Sequence, residues 1–153
     1  MALGTSFPPA FLEAQIRRKL VPGAVIKLLQ KMDDGKVQEK RFVVLLVDEN
    51  TITCVINSEI SAFLANKPDM LKCQVSMPVA SHNFMTHDSH VDCSRARVYS
   101  TDSVVQELVA KPDWMLGAIT PGLCNDIIGA IKFAPTLSAQ EAARLCESLT
   151  NAF

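Results

Sequence analysis

A chain of 153 residues, 48% of them hydrophobic, is long enough to bury one core and too short for two ordinary domains. Charge is nearly balanced, fifteen Lys and Arg against sixteen Asp and Glu, which argues against the unspecific nucleic-acid binding of a very basic protein. No apolar stretch approaches the roughly eighteen residues of a membrane span and no signal-peptide pattern opens the chain, so no membrane partner and a cytoplasmic location are expected.

In chain order, Ser6-Phe7-Pro8-Pro9 before residues 10–20 predicts a capped helix with proline in its first turn and Arg17, Arg18 and Lys19 in its last. Val21-Pro22-Gly23 ends it. Residues 24–31 are rich in β-formers, Asp33-Asp34-Gly35-Lys36 is a hairpin signal, and 37–47 return with the apolar run Phe42-Val43-Val44-Leu45-Leu46-Val47. These two segments are expected to pair antiparallel at the centre of a strongly bent sheet. A third strand is predicted over 51–56, a short helix over 59–66 broken by Lys67-Pro68-Asp69, a fourth strand over 71–79 and a fifth over 91–98. Thr101-Asp102-Ser103 with Gln106 offers an N-cap for a helix through Ala110, while 114–120 leaves strand and helix open. Leu123, Ile127, Ile128 and Ile131 have helical spacing within 121–133, and Ser138-Ala139-Gln140-Glu141 is a capping box for a last helix through Leu149. Strands followed by helices define an α+β protein, a small curled sheet or barrel covered by helices. One domain is expected: a helical extension over 1–20, a barrel over 21–119 and C-terminal helices over 120–153.

Charge is unevenly placed. Residues 1–43 carry eight basic and four acidic groups, and 101–153 carry three and six. A basic face could therefore meet a phosphate backbone, although a polar surface without a partner accounts for the pattern too. Cys54, Cys73, Cys93, Cys124 and Cys146 are odd in number and form no CxxC or CxH pair, which argues against structural zinc and for small core fillers.

Reactive side chains crowd the run 82–93, which holds all three histidines, two carboxylates, a serine, a threonine and a cysteine. The spacing H-x4-H-x2-H of His82, His87 and His90 has no second ligand cluster, so a hydrogen-bonded loop is the commoner reading and no metal is expected. His87 with Asp88, or His90, could supply acid/base chemistry near neutral pH. Ser89 is no triad nucleophile, because sequence neighbours on a strand face opposite ways and no nucleophile elbow is present. Arg17-Arg18-Lys19 could contact phosphate, or simply place positive charge at a helix C-terminus. Trp114 and Tyr99 are too isolated for a base-stacking stripe and read as core.

Val21-Pro22-Gly23-Ala24-Val25-Ile26, the Gly35-Lys36 hairpin and Glu39-Lys40-Arg41-Phe42-Val43-Val44-Leu45-Leu46 resemble the start of PemK/MazF toxins. Val75-Ser76-Met77-Pro78-Val79-Ala80-Ser81, Asp88-Ser89-His90-Val91-Asp92 and Gly117-Ala118-Ile119-Thr120 are similar to later segments of that family, so the resemblance spans about residues 21–149. It implies an SH3-like barrel, usually homodimeric, that cleaves single-stranded RNA without metal or cofactor, as the toxin partner of an antitoxin. Arg41 falls on the family's catalytic arginine and Ser81 on its hydroxyl-bearing threonine, with Phe42 where the family has proline. Ser81, His87, Asp88 and His90 join Arg41 as catalytic candidates, and Lys36, Lys40, Arg17 and Arg18 are the candidate RNA contacts. The alternative is a non-catalytic barrel of the same kind that binds nucleic acid or a protein partner.

Overall fold

The apolar run in the second strand dictates the layering. Phe42, Val43, Val44, Leu45 and Leu46 are all buried, which consecutive strand residues achieve only when both faces of the sheet are covered. The computed structural model describes residues 8–31 and 34–153 and supplies both covers. On one face, α1 (Pro9–Lys19) and α4 (Thr101–Ala110) bury Ile16, Leu20, Val104, Val105 and Leu108 against Ile26, Leu28, Phe42 and Val44. On the other, α5 (Pro121–Ile131) and α6 (Ala139–Ala152) bury Leu123, Ile127, Leu145 and Leu149 against Val25, Val43, Leu45 and Cys54.

The sheet between them is antiparallel and curled, a half-barrel with the strand order β4 (Gln74–Met77), β5 (Ser89–Asp92), β3 (Asn50–Asn57), β2 (Val37–Val47), β1 (Ala24–Lys31), β7 (Met115–Ala118). A further strand, β6 (Arg97–Ser100), pairs the first half of β3, from Asn50↔Ser100 to Thr53↔Arg97. The expected α+β class, bent antiparallel sheet, N-terminal helix and C-terminal helices are all present. Register shifts between Val44 and Leu46 and between Val25 and Ile26 bend the strands. β4 and β7 do not pair, so the curl stays open between them.

The expected central hairpin is seen with the expected bounds. β1 and β2 pair antiparallel from Val25↔Val43 to Lys31↔Val37, and Gly35 takes φ +84° in the turn, where Asp34 Oδ1 accepts from Lys36 N at 2.9 Å. The helix cap at Ser6-Phe7 and the turn residue Asp33 lie outside the described residues.

Elsewhere local hydrogen bonds redraw the expected bounds. The fifth strand divides into β5 and β6 because Asp92 Oδ1 accepts from both Ser94 N and Ser94 Oγ, folding a turn in mid-segment. The helix expected over 59–66 shrinks to α2 (Ala62–Ala65), capped by Ser61, and Pro68 opens a separate turn, α3 (Pro68–Leu71), that takes residues 71 and 72 from the fourth strand. Residues 115–118 resolve as β7, which ends where Thr120 caps α5 by accepting from Leu123 N at 3.1 Å. The capping box of α6 is formed as expected, with Ser138 and Glu141 bonding each other's backbone.

Candidate functional site

Strand register assembles a charged row on the face that carries α5 and α6. Lys27 pairs Arg41, Arg41 pairs Ile56, Ile56 pairs Val91, and Val91 pairs Val75. Directly paired residues share a face, so one row crosses five strands, cationic at one end and apolar at the other. The helices cover the neighbouring row, Val25, Val43 and Cys54, but leave Lys27 and Arg41 lining a pocket of about 180 Å³.

Two like charges directly opposite in a sheet are unfavourable. Glu39, two residues along β2, answers one of them: its Oε2 lies 3.6 Å from Lys27 Nζ. Arg41 keeps its charge uncompensated, and its Nε is buried without a hydrogen-bond partner among the described residues. Lys40 also lines the pocket, so three cations face one carboxylate there. The remaining wall comes from Ile56, Ser58, Met85, His87 and Ser89. Such a pocket favours a small anion, and a guanidinium with a free edge is the side chain best shaped for phosphate oxygens.

The histidine-rich segment reaches this pocket from the edge of the sheet. Pro78 ends β4 and a 3-10 turn follows over Val79–Ser81. Asp88 Oδ1 accepts from Val79 N at 2.9 Å and ties the two ends of the loop together. Met85 is buried in the core beneath the α5/α6 face, while His87 is exposed above it. His87 Nδ1 is 2.8 Å from Thr86 Oγ1, and its Nε2 has no protein partner among the described residues. His82 does something different: it is buried, Nδ1 lies 3.0 Å from the Pro78 carbonyl, and Nε2 accepts from Thr120 N at 3.3 Å. A carbonyl only accepts, so the proton sits on Nδ1 and the ring is a neutral structural bridge.

Of the residues singled out from sequence, the pocket brings together Arg41, Lys40 and His87. Ser81 is exposed in the 3-10 turn, Asp88 is the loop clasp, and His90 projects from the opposite face of β5, paired with Asn57 and Ser76. Arg17 is engaged by Asp102 at 2.8 Å and Glu13 at 3.0 Å, contacts that raise its pKa further. Arg18 is exposed on α1, and Lys36 is exposed beside the hairpin turn. Sequence reasoning did not pick out Lys27, Glu39 or Ser58, and it had set Ser89 aside as a triad nucleophile. Lys27 was recoverable, since a hairpin centred on Asp34 places it opposite Arg41.

The cysteines are core, as expected: all five are free and buried. Burial raises the pKa of Cys73, Cys124 and Cys146, and Cys93 is raised well above the ordinary thiol value by its hydrogen bond with Cys54 and by burial. Thiols so held are poor nucleophiles. Trp114 is buried too, flanked by Lys27 and Lys111 with Nζ 5.4 and 3.9 Å from the ring centroid. Among the described residues no three His, Cys, Asp or Glu side chains are grouped to hold a metal ion, and no helix is long and apolar enough to cross a membrane.

No protein-family model and no curated protein sequence matches the chain. Among solved structures, the Mycobacterium tuberculosis toxin MazF-mt6 is similar, with a TM-score of 0.49 and 13% identity over 74% of this chain and 98% of that one. The likeness is a distant one of fold.

Proposed function

We propose that this protein is a metal-independent endoribonuclease that cleaves single-stranded RNA, acting as the toxin of a toxin–antitoxin pair and as a homodimer. The observation that carries the reading is the convergence of Arg41, Lys27 and His87 on one pocket, with no partner for Arg41 Nε among the described residues. The resemblance of residues 21–149 to PemK/MazF toxins points the same way.

The chemistry follows from what RNA supplies. The ribose 2′-oxygen attacks the adjacent phosphorus, forming one P–O bond, while the bond from phosphorus to the 5′-oxygen breaks and leaves a 2′,3′-cyclic phosphate. One group must take the 2′-hydroxyl proton and another must give a proton to the departing 5′-oxygen. The carboxylate of Glu39 and the imidazole of His87, both in the pocket lining, take these two roles. Arg41, seconded by Lys27, meets the charge that builds on the phosphoryl oxygens. Asp88 acts one step removed, by clasping the loop that presents His87. Lys40 continues the positive lining toward the neighbouring nucleotide.

Incubation of purified protein with end-labelled RNA in excess EDTA tests the reading. Cleavage with products ending in 2′,3′-cyclic phosphate is expected. No cleavage, with binding retained, would replace it with the non-catalytic barrel. Light scattering at micromolar concentration reads the oligomeric state, and a monomer mass would remove the homodimer.

A further inference from the structure

The reverse face of the same sheet end carries a second cationic pocket, of about 290 Å³, that the cleavage chemistry does not use. Its register is set as firmly as the first. Thr53 pairs Arg97, Asn57 pairs His90 and Gln74 pairs Asp92, so Arg97, Asn57 and Asp92 all lie on the α1/α4 face, beyond the reach of those helices. Lys40, Arg95 and Arg97 bring three positive charges to it. Among the described residues none of the three forms an ion pair, and Arg97 Nε is buried with no hydrogen-bond partner. Asp92 keeps its negative charge, but its Oδ1 is bonded by Gln74 Nε2, Ser94 N and Ser94 Oγ and forms no ion pair with either arginine. Glu59 is the other carboxylate in the lining.

Three cations against two carboxylates leave the pocket positive, and two arginines outside any ion pair, with a lysine beside them, fit a phosphate group. One wall of the pocket is aromatic. Phe63 is 59% exposed, and Lys67 Nζ sits 4.8 Å from its ring centroid. Asn57 and Gln30 add amide edges nearby. Phosphate-binding cations, an open aromatic face and amide groups together match a nucleotide: phosphate on the arginines, base stacked on Phe63. We infer that this pocket is a second nucleotide-binding site, taking a nucleoside phosphate either free or as one nucleotide of a strand. Lys40 lines both pockets, at the point where β2 runs on past its last pair with β3, Arg41↔Ile56. A strand bound in the first pocket therefore has a charged route to the second, but the site does not depend on cleavage.

Amide-shift titrations of the ¹⁵N-labelled protein with uridine 5′-monophosphate, with inorganic phosphate and with a short oligouridylate test it. The monophosphate should shift amides over 57–64 and 92–97. Arg95→Gln/Arg97→Gln should weaken monophosphate and phosphate by about tenfold or more. Phe63→Ala should weaken the monophosphate by about fivefold or more while leaving phosphate unchanged. Arg41→Ala should leave binding at this second pocket intact, which separates its outcome from that of the cleavage reading. Equal affinity for monophosphate and oligouridylate assigns a free nucleotide. Tighter oligouridylate binding that the double variant weakens assigns a strand. If the double variant does not fold, exposed Arg95→Gln alone carries the test, with a loss of about threefold or more. Monophosphate shifts confined to residues of the first pocket, or arginine variants that fold and bind like wild type, would overturn the assignment.

Discussion

His82 Nε2 accepts the backbone N–H of Thr120 at 3.3 Å, joining the segment after β4 to the residue that caps α5. The bond spans the side on which the half-barrel is open, because β4 and β7 do not pair and residues 79–88 lie between them. Phe84 reinforces the closure: its ring packs over Gly117 of β7 and stands edge-on to His82, with centroids 5.8 Å apart. The histidine-rich segment is thus a strap that closes the curl and delivers His87 to the pocket.

Removing the strap's anchor should cost stability. His82→Ala leaves a cavity and an unpaired, half-buried Thr120 N–H, while the exposed Pro78 carbonyl keeps its bond from Ser81 N. A loss of about 2–4 kcal/mol in urea unfolding is expected. A change within about 0.5 kcal/mol, the size of an ordinary surface substitution, would mean that the buried bridge does not form.

Gly117 is required for a different reason. A Cβ there would stand 2.6 Å from the Phe84 ring, closer than side chains pack, and its backbone φ is not positive, so the demand is for space alone. Gly117→Ala should push Phe84 and its loop outward and reduce cleavage. Adding Phe84→Ala should make Gly117→Ala nearly harmless to stability, a coupling of about 1 kcal/mol or more in a double-mutant cycle. Additive single effects would place the ring elsewhere.

Arg41→Ala should abolish RNA cleavage without loss of stability. The substitution relieves a like-charge pair with Lys27, so unfolding at low salt should show a gain of a few tenths of a kcal/mol. Stability gained where activity is lost marks a residue kept for function. A variant that cleaves normally, or that unfolds, would sink this assignment.

His87→Ala tests proton transfer alone, since the side chain is exposed and its one ring contact is with Thr86. Single-turnover cleavage should slow by about a hundredfold to ten-thousandfold with RNA binding kept. His90→Ala, on the opposite face of β5, should leave the rate close to wild type. Reversal of that order would move the acid/base role to His90.

Cys73, Cys93, Cys124 and Cys146 are buried and their pKa values raised, so the native protein at mildly alkaline pH should leave them unlabelled by a thiol reagent until denaturant is added. Fast labelling of any of them in the native state, with circular dichroism unchanged, would show that the core around that thiol opens.

Local chemistry was legible where it acts over a few residues. The Gly35 turn, the period of β1 and β2, and the Ser138 capping box each depend on neighbours within one turn of chain, and each stands where the sequence placed it. The continuous run from Phe42 was read only as a strand, although such a run implies burial on both faces. What stayed hidden rests on contacts distant in sequence. The Asp92–Ser94 turn is local and was overlooked, but no local pattern says that His82 will bond Thr120 thirty-eight residues on, or that His87 will line the pocket while His90 takes the opposite face. Residue type and spacing mark a segment as reactive. Strand register and the closure of the curl decide which of its side chains meet Arg41, because those depend on pairing energies summed across the whole sheet.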